Sequence, residues 1–101
     1  MFGKLGDMMG KLQEMKQKAD EIKKNLDGIV ITSESMGGNI KIEINGNRKI
    51  KSLDISEGLK QGNKKELESY LVSAINKAVE AADKTNEDEM KKAATGLLPG
   101  F

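Results

Sequence analysis

Apolar residues recur at Leu5, Met8, Leu12, Met15, Ala19, Ile22 and Leu26, spaced alternately by three and four. That period predicts a helix over about residues 4–26 with one narrow apolar seam, as in a coiled-coil strand. The borders of the seam are basic. Lys4, Lys11, Lys18 and Asn25 follow one edge, and Met9, Lys16 and Lys23 the other, while Asp7, Glu14, Asp20 and Glu21 fall on the far side. Two copies zipped together would set lysine against lysine, which disfavours self-pairing. The seam therefore needs a different apolar partner, and its borders suit a polyanion. Leu26-Asp27-Gly28 ends the helix with a glycine, and Gly3, Gly6 and Gly10 weaken its first turns.

The period then switches to two. A β-branched run opens at Ile29 and predicts a first strand over about 29–36, with Gly37-Gly38 as the turn behind it. Ile40, Ile42 and Ile44 alternate with Lys41, Glu43 and Asn45, which predicts a second strand, about 39–45, buried on one face. Asn45-Gly46 is the dipeptide of a type I′ hairpin turn. A third strand follows over about 48–55. Leu53 and Ile55 share a phase there, but Ile50 points away from them, so a bulge or partial burial of the second face is implied.

Gly58 to Gly62 reads as a loop. Asn63-Lys64-Lys65-Glu66 has the spacing of a capping box and opens a second helix over about 64–94. Its apolar positions are Leu67, Leu71, Ala74, Ile75, Ala78, Val79 and Ala82, and the alanines invite close approach by another helix. Beyond Thr85 the stripe thins among Glu87, Asp88 and Glu89, and Gly96 and Pro99 lie in a tail over 95–101. A helix of that length spans on the order of 45 Å. It cannot fit inside a compact domain of this size, about 35 Å across. The start of the first helix and the end of the second should project together as an arm.

Composition narrows the function. One domain over 1–101 is expected, α+β in class: helix, three-stranded antiparallel meander, long helix, with two helical arms leaving a β core. Seventeen basic and sixteen acidic residues leave a net charge of +1, so a polyanion site must be built locally by sorting charge onto faces. The chain has no Cys and no His, which removes disulfides, thiolate chemistry and the commonest general base and metal ligand together. No enzyme, cofactor, metal site or small-molecule substrate is expected. No run approaches membrane-spanning length, so a soluble cytoplasmic protein without a membrane partner is the default.

Several stretches together resemble the YbaB/EbfC family of nucleoid-associated proteins. They are Met1-Phe2-Gly3-Lys4, the Met/Gln/Lys heptad helix, Ser35-Met36-Gly37-Gly38, Ile44-Asn45-Gly46, Leu53-Asp54-Ile55 and the closing Leu98-Pro99-Gly100-Phe101. The resemblance covers essentially the whole chain. It implies a small cytoplasmic homodimer of the nucleoid, tweezer-like in shape, whose helical arms bind duplex DNA with relaxed sequence preference.

The candidate DNA-binding residues are lysines. Chain direction puts Lys4 and Lys11, with Lys84, Lys91 and Lys92, towards the free end of the arm, and Lys16, Lys18 and Lys23 continue the basic edge towards the sheet. Lysine contacts to phosphate supply affinity without base readout. Lys64 and Lys65, in the first turn of the second helix, form a weaker anion site at its positive end. The bland alternative for all of them is a solvated surface. A homodimer joined through the β region is expected, because the helices leave too little material to cover both faces of the sheet. The competing function is a protein-binding scaffold or prefoldin-like holdase that grips apolar clients between its helices. Retention on DNA or heparin, against suppression of client aggregation, separates the two.

Overall fold

The computed structural model describes the backbone of residues 2–97 and the side chains of residues 6–95. The tail expected over 95–101 is helical as far as Leu97, and its remaining residues lie outside the described ones, as do the side chains of Lys4 and Leu5. The elements are α1 (Phe2–Gly28), β1 (Val30–Ser35), β2 (Ile40–Asn45), β3 (Ile50–Ile55), α2 (Glu57–Lys60) and α3 (Lys64–Leu97). The strands form one antiparallel sheet in the order β1-β2-β3.

The core lies between β2 and α3. Ile40, Ile42 and Ile44 are buried against Ala74, Ala78 and Ala82. Alanines four residues apart line one face of a helix, and here their short side chains admit the isoleucines of the sheet rather than another helix. Ile31, Tyr70, Leu71, Ile75 and Val79 pack around this contact.

The phase problem at Ile50 resolves as a bulge. Glu43 pairs with Ser52 and Ile44 with Ile50, so Lys51 is the extra residue of β3. The bulge turns Ile50 to the face of its partner Ile44, and Leu53 and Ile55 stand opposite Ile42 and Ile40. All three apolar residues of β3 thus share the core face, which corrects the expectation that Ile50 points away. Even so, Ile50 and Leu53 are each 46% exposed, because α3 lies over β1 and β2 and leaves β3 uncovered.

Both hairpin turns use left-handed backbone. Met36, Gly37 and Gly38 have φ of 55°, 65° and 91°, as the Gly-Gly pair predicts. The β2–β3 turn differs from the expected type I′. Arg48 N donates to Asn45 O at 3.0 Å, Asn45 N donates to Lys49 O at 2.9 Å, and the left-handed residue is Arg48, with φ of 65°. This is a three-residue loop closed by an αL residue. The buried Asn45 accepts from the backbone amides of Asn47 and Lys49 at 2.9 and 3.0 Å and holds the loop from within.

The stretch read as a loop from Gly58 contains the single turn α2, which starts at Glu57. Asn63 caps α3, its Oδ1 accepting from Lys65 N at 2.8 Å and Glu66 N at 3.3 Å. The molecule extends 70 × 21 × 20 Å with a radius of gyration of 19.8 Å, against roughly 13 Å for a compact chain of this length. The helices account for the excess: the 34 residues of α3 alone span about 51 Å.

Candidate nucleic-acid interface

The arm begins where α1 meets the β2–β3 turn. Leu26 is buried there, and Gly46 N donates to the carbonyls of Leu26 and Ile29 at 3.0 and 3.1 Å. Asn47 Nδ2 donates to Lys23 O at 2.8 Å and also to Asp27 Oδ1. On the other helix, Asn86 Nδ2 donates to Gly46 O at 3.0 Å and Arg48 forms an ion pair with Asp83. One turn therefore holds both helices at their root.

Above the root, α1 and α3 run side by side. Lys18, Glu21, Ile22 and Asn25 face Glu89, Lys92 and Ala93 across an open cleft. Among the described residues of the α1 seam only the last two positions are covered: Leu26 is buried and Ile22 half-buried. Met8, Leu12 and Met15 are 62%, 63% and 51% exposed. The absence of core contacts along most of α1 is what makes it an arm.

The eight candidate lysines separate into groups. Lys23 and Lys84 stand at the root: Lys23 beside Asn47, and Lys84 next to Asp83, whose partner is Arg48. Lys84 thus sits lower on the arm than chain direction alone suggested. Lys18 and Lys92 border the cleft, paired with Glu21 at 3.6 Å and Glu89 at 3.3 Å. Such exposed pairs are worth about 0–1 kcal/mol and yield readily to a phosphate. Lys11, Lys16 and Lys91 are exposed on the outer part of the arm, with no acidic partner among the described residues. Lys4 belongs to α1, and its side chain lies outside the described residues.

Lys77 is not among the eight candidates, yet it lies in line with two of them. Lys77, Lys84 and Lys91 recur every seven residues and share one face of α3. Lys77 begins this row at the sheet, its ammonium donating to Glu34 O at 2.7 Å. Lys64 and Lys65 gain no support as an anion site, because Asn63 already occupies the amides of Lys65 and Glu66. Among the described residues no cluster of three or more His, Cys, Asp or Glu is arranged to hold a metal ion, and no helix is long and apolar enough to cross a membrane.

Comparison with known proteins agrees with this architecture. A protein from Hahella chejuensis named a nucleoid-associated protein is 38% identical over 101 residues, covering 98% of this chain and 94% of the relative. One of the same name from Flavobacterium johnsoniae is 42% identical over 76 residues, covering 75% and 71%. The crystal structure of an uncharacterized protein from Helicobacter pylori has the same fold, with a TM-score of 0.77 at 24% identity over 86% of this chain and 92% of that one. The profile of the YbaB/EbfC DNA-binding family matches residues 1–97, and the chain belongs to that family.

Proposed function

We propose that this protein is a nucleoid-associated, cytoplasmic DNA-binding protein that grips duplex DNA through the lysines of its helical arms. The observation that carries the reading is the two exposed basic edges of α1, Lys11 and Lys18 on one and Lys16 and Lys23 on the other, on a helix whose described residues have almost no part in the core. Lys4, nearer the start of α1 in the sequence, belongs to the same set, and Lys84, Lys91 and Lys92 supply a second set from α3. The ammonium groups contact phosphate oxygens, which fixes position on the duplex without reading bases. Glu87, Asp88 and Glu89 share the arm and repel the backbone, so only its lysine-bearing edges touch DNA.

The working form is a homodimer joined through the β region. Ile50 and Leu53 lie open on β3, and Ile75 and Val79 extend from the α3 core stripe as half-buried neighbours of the core. A second copy covering this face would present two arms to one duplex, doubling the lysines by symmetry. A gel-shift titration at two salt concentrations, run beside light scattering, tests both parts. The expected result is a dimeric mass and an affinity that falls steeply with salt. Affinity indifferent to salt would remove the lysines from the interface.

A further inference from the structure

Asn45-Gly46 is the one Asn-Gly pair in the chain, and it sits at the root of the arm. In a flexible chain this dipeptide is chemically labile. The amide nitrogen that follows the asparagine attacks the side-chain Cγ, and glycine, without a Cβ, leaves the approach open. The closed root withholds each group that the reaction needs. Gly46 N, the attacking atom, has its hydrogen shared between the carbonyls of Leu26 and Ile29 at 3.0 and 3.1 Å. Asn45 is 1% exposed. Its Oδ1 is held by the amides of Asn47 and Lys49 at 2.9 and 3.0 Å, and its Nδ2 stands 3.5 Å from Asp27 Oδ1.

We propose that Asn45 is a deamidation site gated by the root of the arm: inert while α1 is docked, reactive when α1 lifts, and once converted a bar to redocking. The clamps come largely from α1. Leu26 O holds Gly46, Asp27 faces Asn45, and Asn47 is tied to Lys23 O and Asp27. With Met8, Leu12 and Met15 exposed, α1 is weakly anchored and opens locally without unfolding the sheet. In the open state a bond forms between Gly46 N and Asn45 Cγ, and the Cγ–Nδ2 bond breaks. Nδ2 leaves as ammonia, taking up the proton that Gly46 N gives to solvent. Water then opens the cyclic imide at either carbonyl, giving aspartate or isoaspartate, with nothing oxidised or reduced. In the closed root the new carboxylate would stand against that of Asp27, where an amide stood before, and a buried charge without a partner is costly. Isoaspartate also lengthens the backbone beside Gly46, where even an added Cβ would lie 2.7 Å from Leu26 Cδ2. The device holds whether or not the arm lysines meet DNA.

Peptide mass mapping of the full chain, kept at mildly alkaline pH, reads the reaction. The same chain unfolded in urea sets the unprotected rate. Asn45 in the folded protein should convert more slowly by a factor of about ten or more. Asn47→Ala unties α1 from the turn and should raise the folded rate several-fold, with circular dichroism close to the parent's. Equal rates in the folded and urea-unfolded chains would overturn the proposal. So would an Asn45 that stays intact in urea, or an Asn47→Ala protein that reacts no faster than the parent. The bar to redocking is read by limited trypsin digestion. Asn45→Asp should speed cleavage after Lys23 and Lys24 several-fold. Asn45→Asp/Asp27→Asn, which again sets one amide against one carboxylate, should return cleavage to the parent's rate. Should Asn45→Asp alone fail to fold, the exchange should regain the parent's circular dichroism. Cleavage of Asn45→Asp at the parent's rate, or no recovery in the exchange, would show that charge at position 45 does not govern the root.

Discussion

The backbone amide of Gly46 donates to the carbonyl of Leu26 at 3.0 Å, and a Cβ at Gly46 would stand 2.7 Å from Leu26 Cδ2 and 2.9 Å from that carbonyl oxygen. The root of the arm is therefore set by the absence of a side chain. Gly46→Ala forces the hairpin and α1 apart, with a cost of about 1–3 kcal/mol typical of overpacking. The urea unfolding midpoint should fall accordingly. Gly10→Ala is the control, since nothing lies within 4 Å of a Cβ there, and it should raise helicity by removing up to about 1 kcal/mol of glycine penalty. A Gly46→Ala protein as stable as the parent would mean that the close approach to Leu26 is not held in solution.

The contact between the alanine stripe and the sheet should be equally intolerant. Ala78 is fully buried among the β2 isoleucines. Ala78→Leu adds volume with nowhere to go, at about 1–3 kcal/mol, while Ile42→Ala leaves a cavity at about 2–5 kcal/mol. Thermal melts read both effects. Combined, the two changes should cost less than their sum, because the added leucine methyls can occupy the space vacated at Ile42. Strict additivity would show that the two side chains do not share a site.

That contact also marks what was legible beforehand. Periodicity placed the two long helices and three strands within a few residues, most clearly β2, whose isoleucines alternate with polar residues. The arm followed from helix length alone. Harder features were those where two signals compete at one residue. Asn45-Gly46 carries the composition of a type I′ turn, yet Gly46 serves the close approach of Leu26 and the left-handed residue is Arg48. The alanines of α3 signalled close packing but pointed to another helix, whereas the partner is β2. Ile50 gave away an irregularity, and only strand pairing identified it as a bulge at Lys51. Among the lysines, spacing gave the faces, whereas the hydrogen bonds around Asn47 and Asn86 fixed how far along the arm Lys23 and Lys84 stand.

Charge reversal on the arm should weaken DNA binding uniformly across sequences. Lys11 and Lys91 are exposed, far from the core, and lack acidic partners among the described residues. Lys11→Glu with Lys91→Glu should lower affinity for every duplex and flatten the salt dependence, by about 0.9 in log–log slope for each phosphate no longer neutralised. Melting temperature should stay close to that of the parent. Lys41→Glu with Lys51→Glu, on the sheet, is the comparison. Should the sheet pair abolish binding and the arm pair leave it intact, the contact surface is the β region around Arg48, not the arms.

The proposed dimer makes the strongest demand on the β3 face. Leu53 is 46% exposed although it shares the core face with Ile42, its neighbour in the sheet. A lysine at this position keeps its stem on the apolar surface and its charge in water in a free protomer. Within an interface that charge would be buried against a second copy and cost several kcal/mol. Leu53→Lys should therefore halve the mass measured by light scattering at micromolar concentration while the circular dichroism of the protomer persists. The separated protomer presents one arm, so DNA affinity should fall by much more than an added positive charge could restore. Its salt slope should drop towards half, since half the lysines remain to neutralise phosphates. An unchanged dimeric mass would move the interface away from β3. A monomer that bound DNA as tightly as the parent would show that one arm suffices, and the second copy would then have no part in gripping the duplex.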